Sequence, residues 1–131
     1  MDDILLTEEG NNALKKIQSQ DGNQDPFSGG MNGEDGSIAN YTGCTATVVL
    51  VTKDSFICAN AGDSRSVLGR SSGPKMCENL SEDHKPDNED EKKRILAAGG
   101  FVEDNRVMGS LNLSRSMGDF EYKSKKDLPY T

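Results

Sequence analysis

The stretch Ala59-Asn60-Ala61-Gly62-Asp63-Ser64-Arg65 decides how this chain folds. It is a corner of small residues that carries one carboxylate and one guanidinium between two apolar, strand-like segments. Glycine permits a close backbone approach at such a corner. The neighbouring Asp63 can tie the turn by accepting backbone N–H groups, or it can face a hard cation. Turn chemistry alone favours the first interpretation.

The segments on both sides of this corner predict short antiparallel strands. Residues 45–52 are β-branched or apolar in near-continuous order, which is typical of a strand buried on both faces. Lys53-Asp54 predicts a two-residue turn into a hairpin partner at residues 55–59. Residues 66–69 and 75–80 predict a third and a fourth strand. Successive strands of this kind indicate a meandering sheet.

A helix is predicted after the strands, at residues 88–98, with Asp87 or Asn88 as its cap. Acidic residues fill its first turn, and Glu89 with Lys93 and Asp90 with Arg94 are favourable i,i+4 pairs. Gly99-Gly100 predicts a left-handed end, and Ile95 with Ala98 marks the face that packs on the sheet. A short strand is expected around residues 106–108.

The first 42 residues divide into a helical part and a polar part. Residues 1–18 place apolar side chains at helical spacing, but Gly10-Asn11-Asn12 weakens the middle, so one kinked helix and two short helices both remain open. Residues 19–42 are rich in Gly, Asn, Asp and Ser, which predicts a flexible insert. Its run Gly29-Gly30-Met31-Asn32-Gly33 lacks the Gly-Lys-Ser/Thr sequence of a phosphate-binding loop.

Composition limits the function classes. A chain of 131 residues fits one domain or part of one. Its net charge of −7 repels phosphate groups, which disfavours nucleic acid and anionic membranes as partners. The N-terminus carries neither a signal-peptide pattern nor a membrane span, so we expect a soluble chain. Cys44, Cys58 and Cys77 lack paired or zinc-binding spacing, which predicts a reduced intracellular compartment, cytoplasmic and/or nuclear.

No residue of this sequence is assigned a catalytic role from its pattern. His84, the single histidine, precedes Lys85-Pro86 in an extended loop, and we expect it to hydrogen-bond locally. No Gly-x-Ser-x-Gly elbow is present. Arg65 and Arg115 could bind phosphate, although arginines in such positions more often pair with carboxylates. Asp119 follows Gly118 and could be another aspartate that ties a turn.

Five sequence blocks occur in a specific order: Thr42-Gly43-Cys44-Thr45-Ala46, the corner at residues 59–65, Asp83-His84-Lys85-Pro86, Ala97-Ala98-Gly99-Gly100-Phe101-Val102, and Ser114-Arg115-Ser116-Met117-Gly118-Asp119. Each block alone is moderately specific. In this order, and followed by Phe120-Glu121-Tyr122-Lys123, they resemble the middle of a metal-dependent Ser/Thr protein phosphatase of type 2C.

The resemblance implies an α+β fold, an antiparallel β-sandwich flanked by helices, of which only part is present. It implies removal of phosphate from phosphoserine and phosphothreonine in protein substrates, with a pair of Mg²⁺ or Mn²⁺ ions in the complete domain that bridge and activate an attacking water. Asp63 would correspond to a ligand of an additional, weaker third metal. Arg115 and Asp119 would lie in the segment that leads into a flap beside the active site, where they could contact substrate.

The resemblance also has a gap. The family's principal metal ligands lie in an Asp-Gly-His-Gly-Gly motif before this region, and in Asp-Gly-x-x-Asp and Asp-Asn motifs after it. This sequence has no Asp-Gly-His-Gly-Gly, and neither later motif follows residue 123. We therefore expect residues 1–131 to be part of a phosphatase catalytic domain that is inactive alone. A non-catalytic, pseudophosphatase-like binding or scaffold module is the alternative. Exposed sheet edges should promote self-association.

Overall fold

The computed structural model describes residues 2–20, 38–125 and 127–128, and its longest strand pair is an antiparallel hairpin. Strand β2 (Ala46–Val51) pairs antiparallel with β3 (Phe56–Ala61), in a register that runs from Ala46 opposite Ala61 to Val51 opposite Phe56. The amide of Thr52 donates to the carbonyl of Ser55 at 2.9 Å and closes the turn. The predicted two-residue turn at Lys53-Asp54 is therefore confirmed.

The prediction that this first strand is buried on both faces is wrong. Val48, Leu50 and Val51 are 63%, 56% and 64% exposed. A strand is buried on both faces only where layers of structure cover both sides of its sheet. Within the described part of the chain, this two-stranded hairpin has no such layers.

The predicted meander is also wrong, because β4 (Val67–Gly69) pairs with β5 (Cys77–Asn79) rather than with β3. The cause lies just after the corner. The amide of Ser66 donates to the Ser81 hydroxyl at 2.9 Å, and the carbonyl of Ser66 accepts from the Leu80 amide at 2.9 Å. These bonds direct the chain toward β5, and both strands are shorter than the predicted segments.

Two further antiparallel pairs complete the described sheets. Strands β6 (Val102–Glu103) and β7 (Arg106–Val107) are joined by a turn at Asp104 and Asn105, whose φ values of 50° and 59° are those of a type I′ hairpin turn. The strand expected at residues 106–108 therefore ends one residue earlier. The fourth pair joins β1 (Gly43–Cys44) to β8 (Met117–Gly118).

The N-terminal segment forms two helices, α1 (Asp2–Leu5) and α2 (Glu8–Gln20). Of the two interpretations left open, one kinked helix or two helices, the second is confirmed. The break lies at Leu6-Thr7 and not at Gly10. Thr7 caps α2, because its hydroxyl accepts the Gly10 amide at 3.1 Å. Gly10 remains helical because it packs on α1, where an added Cβ would lie 2.1 Å from the Ile4 carbonyl oxygen.

Helix α3 spans Glu89–Ala97 and begins as predicted after Asn88, but the Asn88 side chain does not cap it. That side chain donates instead to the carbonyl of Asp83 at 2.8 Å. The pair of Lys93 with Glu89 is confirmed at 2.8 Å. The predicted pair of Asp90 with Arg94 is wrong, because Arg94 binds Glu91, which lies on the buried face of the helix.

The C-terminal end of α3 is confirmed as a left-handed glycine cap. Gly99 has a φ of 83°, its amide donates to the Leu96 carbonyl, and the Gly100 amide donates to the Ile95 carbonyl, each at 2.9 Å. These two bonds define a Schellman motif. Ile95 is buried, as its predicted position on the packing face requires.

The described chain divides into two compact units, one formed by residues 1–44 and 117–131 and the other by residues 45–116. In the first unit, Ala39 is buried and a 3₁₀ helix spans Ile38–Tyr41. In the second, Ile95, Val107 and Pro86 are buried. Each unit combines helices or turns with small antiparallel sheets. Among the described residues, no helix has the length and apolar character needed to cross a bilayer.

The flexible insert predicted at residues 19–42 falls mainly on residues 21–37, which lie outside the described residues. At its ends the structure differs from the prediction. Helix α2 extends to Gln20, and the 3₁₀ helix Ile38–Tyr41 begins on the other side. The Ile38 amide donates to the Asn11 side chain at 3.4 Å, and this contact ties the second end to α2.

Candidate functional site

The corner at residues 62–65 and the loop at residues 83–86 form one site in the second unit. The His84 amide donates to the Gly62 carbonyl at 3.0 Å, and the Gly62 amide donates to His84 Nδ1 at 3.1 Å. His84 was expected to bond within its own loop, so this contact to Gly62 corrects that prediction. Since Nδ1 accepts a hydrogen bond, the neutral imidazole carries its proton on Nε2.

Two ion pairs join the corner to the loop. Arg65 binds Asp83 through two hydrogen bonds, from Nε at 2.8 Å and from Nη2 at 2.9 Å. The carboxylate pairing favoured for Arg65 is thus confirmed. The hydrogen bond and charge of Arg65 hold the pKa of Asp83 below its ordinary value, and the same contact raises the pKa of Arg65. Lys85 binds the carboxylate of Asp63 as the second pair.

Asn60 supports the corner from the end of β3. Its side-chain nitrogen donates to the carbonyls of Gly62 and Glu82, each at 3.0 Å. Its Oδ1 atom is buried, and no described residue donates to it. Asn60 therefore links the corner to the segment that precedes the loop at residues 83–86.

The described residues do not fit a two-metal centre. Asp63 brings one carboxylate, and that carboxylate binds the ammonium group of Lys85. In residues 2–20, 38–125 and 127–128, no cluster of three or more His, Cys, Asp or Glu side chains is arranged to hold a metal ion. A tight Mg²⁺ or Mn²⁺ site needs several oxygen ligands. The third-metal role of Asp63 remains a prediction.

Two open clefts border this site, and Lys85 lines both of them. The first has a volume of about 330 Å³ and is lined by Arg65, Asn79, Ser81, Glu82, Asp83, Lys85 and Asn88. The second has a volume of about 310 Å³ and is lined by Lys85, Asp87, Asp104, Asn105, Arg106 and Asn112. Each cleft combines acidic with basic side chains.

A second cluster, which we call the Glu91 clasp, consists of Glu91, Arg94, Ser114 and Arg115. Arg115 binds the Glu91 carboxylate from Nε at 3.0 Å and from Nη2 at 2.7 Å. Arg94 donates to Glu91 at 2.8 Å and to the Ser114 carbonyl at 2.6 Å, and the Ser114 hydroxyl donates to Glu91 at 2.6 Å. The clasp therefore fixes residues 114–115 to α3.

Glu91 is the most buried member of the clasp, with 8% of its side chain exposed. Burial acts to raise its pKa, but the hydrogen bonds from Arg115, Arg94 and Ser114 and the charge of Arg94 outweigh burial. Together they lower the pKa from 4.5 to about 2. Glu91 is therefore ionised throughout the physiological pH range.

This lowered pKa predicts an acid-dependent loss of stability. Because the folded pKa lies below the unfolded value, the stabilisation from ionised Glu91 is present above pH 4.5 and is lost as pH falls from 4.5 toward 2. We expect the wild-type chain to be more stable than Glu91→Gln by a margin that shrinks as pH falls from 4.5 toward 2. Urea unfolding of both chains measures it, and an unchanged margin would contradict the assignment.

Arg115 lies in the clasp, so the carboxylate pairing favoured for it is confirmed. Its carbonyl oxygen also lies beside the corner, 3.2 Å from where a Cβ on Gly62 would stand. The backbone of Arg115 thus adjoins the Asp63 corner, while its guanidinium contacts Glu91. The substrate-contacting role expected for Arg115 in a flap remains a prediction.

Asp119 belongs to the first unit and has a φ of 51°. Its amide donates to the Thr42 carbonyl at 3.0 Å, and its carboxylate packs against Gly43, where an added Cβ would lie 2.0 Å from Oδ2. The Asp119 side chain makes no capping hydrogen bond to the 3₁₀ helix Phe120–Lys123 that follows it, so its turn-tying role stays a prediction. Its expected flap role remains a prediction.

Sequence reasoning missed Lys85 and Glu91 as members of these clusters. No local sequence pattern indicates the ion pair of Lys85, because its partner Asp63 is 22 residues away in sequence. Glu91 did give one, since it lies one turn before Ile95 on the predicted packing face of α3. A carboxylate at such a position requires a partner.

The strings Asp-Gly-x-x-Asp and Asp-Asn, which the resemblance places after this region, also occur by themselves before residue 123. Asp-Asn occurs at the start of α3, as Asp87-Asn88, and in the type I′ turn, as Asp104-Asn105. Asp-Gly-x-x-Asp occurs at residues 21–25, outside the described residues. Neither Asp-Asn string belongs to a metal-binding cluster among the described residues.

The ordered sequence blocks are those of a known class of protein. The chain belongs to the protein phosphatase 2C family, whose family model matches residues 7–131. Protein phosphatase 2C 1 of Paramecium tetraurelia is 46% identical over 128 residues, which are 98% of this chain and 37% of the relative. Probable protein phosphatase 2C 21 of Arabidopsis thaliana is 49% identical over 116 residues, 86% of this chain and 31% of the relative.

A fission yeast relative shows the same pattern of partial coverage. Protein phosphatase 2C homolog 3 of Schizosaccharomyces pombe is 61% identical over 83 residues, which are 63% of this chain and 19% of the relative. The chain thus spans 37% or less of the length of these three curated relatives.

Proposed function

We propose that this chain forms part of the catalytic domain of a Mg²⁺- or Mn²⁺-dependent protein serine/threonine phosphatase. The observation that carries the proposal is the family match over residues 7–131. The relatives named above are called protein phosphatases, which makes phosphorylated proteins the substrate class. We also propose that the complete domain is an antiparallel sandwich flanked by helices, of which residues 1–131 are a part.

Within this proposal, metal ions held by the complete domain would supply an activated water and the positive charge that an acidic chain lacks. The described residues of this chain would position the backbone around Asp63. Lys85 and Arg65 hold the Asp63 corner against the loop at residues 83–86, and the Glu91 clasp holds residues 114–115 beside Gly62. Both clusters orient the backbone near Asp63.

An intracellular location is part of the same proposal. Cys44, Cys58 and Cys77 are all unpaired, and Cys44 and Cys77 are exposed. Exposed free thiols persist in reducing compartments. The cytoplasm and the nucleus both provide such conditions.

A chimera tests the proposed activity. The matched segment of the Paramecium relative, 46% identical over 128 residues, is replaced by this chain, and hydrolysis of a phosphothreonine peptide is measured with excess Mn²⁺. We expect turnover by the chimera and none above background by the isolated chain. The unmodified relative is the positive control, and a chimera with Asp63→Ala reports on the predicted metal ligand.

The activity of the chimera distinguishes a catalytic segment from a non-catalytic scaffold module. A chimera that folds, as judged by circular dichroism, but gives no turnover would contradict the proposal and favour a scaffold module. Turnover by the purified isolated chain would contradict the expectation that these residues lack a complete metal centre.

A further inference from the structure

Ser114 joins the Glu91 clasp to the loop at residues 83–86. Its hydroxyl donates to the Glu91 carboxylate at 2.6 Å, and its carbonyl accepts from Arg94 at 2.6 Å. On the other side, its amide donates to the carbonyl of His84 at 3.0 Å. All three polar groups of Ser114 therefore have partners, two of them on α3 and one in the loop.

His84 in turn fixes the backbone on both sides of Gly62. Its amide donates to the Gly62 carbonyl at 3.0 Å, and its Nδ1 atom accepts from the Gly62 amide at 3.1 Å. The first bond fixes the planar peptide group between Gly62 and Asp63, which sets the direction in which the Asp63 side chain leaves the corner. Lys85, which follows His84, binds the Asp63 carboxylate, so the loop holds this side chain as well.

The clasp also contacts the corner directly. The Arg115 carbonyl oxygen lies 3.2 Å from the position that a Cβ on Gly62 would take. Because Gly62 has no side chain, the backbone of Arg115 packs against it. A movement of this backbone would therefore displace Gly62 and disturb the two bonds that join Gly62 to His84.

Glu91 is the residue that keeps the clasp closed. Its side chain is 8% exposed, and its carboxylate accepts hydrogen bonds from Arg94, Arg115 and Ser114. One negative charge thus binds two guanidinium groups, which repel each other where water is largely excluded. Without this charge the guanidinium groups would separate, and the segment that contains Ser114 would leave α3.

We propose that Glu91 is a positioning residue for the Asp63 corner, on which it acts through Ser114. Each bond of this network joins two residues of the second unit. The importance of this positioning for catalysis rests on the proposed function, whereas the geometry of the corner can be measured without any activity. Coupling between connected groups has to be demonstrated by changing one of them and observing the other.

The single histidine of this chain gives a direct measurement of the corner. When histidine alone is labelled with ¹⁵N, every imidazole signal belongs to His84. In mildly alkaline buffer, which keeps imidazoles neutral, the bond from the Gly62 amide to Nδ1 holds the proton on Nε2. The two ring nitrogens then resonate far apart. An imidazole released from Gly62 exchanges between tautomers, and its two nitrogen shifts move toward each other.

Hydrogen exchange measures the backbone bonds of the same network. In the Glu91→Gln variant, three amides should exchange at least about tenfold faster relative to the Leu80 amide, namely those of Gly62, His84 and Ser114. The Leu80 amide donates to the Ser66 carbonyl at 2.9 Å and reports a general loss of stability. A purely structural role of Glu91 would accelerate all four amides by the same factor.

Two further variants complete this experiment. Glu89→Gln makes the same change at an exposed site of α3 and should alter neither the imidazole shifts nor the exchange of the three amides. Ser114→Ala removes only the hydroxyl link and keeps both ion pairs of Glu91, so it decides the question if Glu91→Gln does not fold. We expect it to accelerate the same amides, by a smaller factor.

Unchanged imidazole shifts together with uniform exchange in both clasp variants would overturn the proposal. So would a wild-type chain whose imidazole already exchanges between tautomers. Circular dichroism shows whether each variant remains folded.

Activity separates this inference from the proposed function. In the chimera with the Paramecium relative, Glu91→Gln should lower turnover of the phosphothreonine peptide at least about tenfold, and Glu89→Gln should leave it unchanged. Full turnover by the Glu91→Gln chimera would contradict a positioning role in catalysis. A chimera that is inactive before any substitution contradicts the proposed function, while the imidazole signals still decide whether Glu91 positions the corner.

Discussion

Replacing Glu91 with alanine is expected to lower the free energy of unfolding of this chain by about 3 kcal/mol. The substitution removes the acceptor of two arginines and of the Ser114 hydroxyl. Loss of one partner from a buried ion pair costs about 3–5 kcal/mol, and the lower end applies here because water reaches both arginines. Their side chains are about one-third exposed. Urea unfolding monitored by circular dichroism measures the change.

Glu89→Ala is the matched control on the same helix. Glu89 pairs with Lys93, but both side chains are well exposed, so its replacement should cost less than about 0.5 kcal/mol. A double-mutant cycle with Arg115→Ala isolates the central contact of the clasp, and we expect a coupling of about 1–2 kcal/mol. If Glu91→Ala costs no more than Glu89→Ala, the clasp does not hold residues 114–115 to α3.

The second large effect is expected at the corner, where Gly62→Ala should cost about 2–3 kcal/mol. Gly62 has a φ of 108°, a backbone conformation that residues with a Cβ rarely adopt. An added Cβ would also lie 2.5 Å from Cγ2 of Thr45, so the Thr45 side chain would have to move. The hydroxyl contact between Thr45 and Ser64 would be disturbed as well.

Gly73→Ala separates the two causes of this loss. Gly73 has nearly the same φ, 110°, but an added Cβ there meets no atom within 4 Å. Its substitution should cost about 1 kcal/mol, which measures the backbone strain alone. The difference between the two variants measures the crowding at the corner. Equal losses at both positions would show that the contact with Thr45 is unimportant.

Local features of the fold were predictable because they depend on neighbours in sequence. The Lys53-Asp54 turn, the glycine cap after α3 and the pair of Glu89 with Lys93 each follow from residues within one or two turns of chain. The order of the motifs was sufficient for the family resemblance. These predictions required no knowledge of distant contacts.

The remaining features depend on partners that are far apart in sequence. The pair of Lys85 with Asp63 joins residues 22 positions apart, and the clasp joins Glu91 to Arg115 across 24. The prediction from residue type also failed for β2. Its apolar sequence predicts a strand buried on both faces, but five of its six residues are exposed in the described chain. Strand β4, which follows the corner, pairs with β5 and not with β3, the strand before it in sequence. Two hydrogen bonds at Ser66 favour this pairing.

The first unit has a consequence for the order of folding during synthesis. Asp2 accepts the Gly118 amide at 2.9 Å and binds Lys123 at 2.6 Å, contacts that span 116 and 121 residues of chain. Contacts across such separations form late, because closing a long loop costs entropy before it gains any contact. The contacts of Asp2 can therefore form only after residue 123 has left the ribosome, while the β2–β3 hairpin can close once residue 61 has emerged.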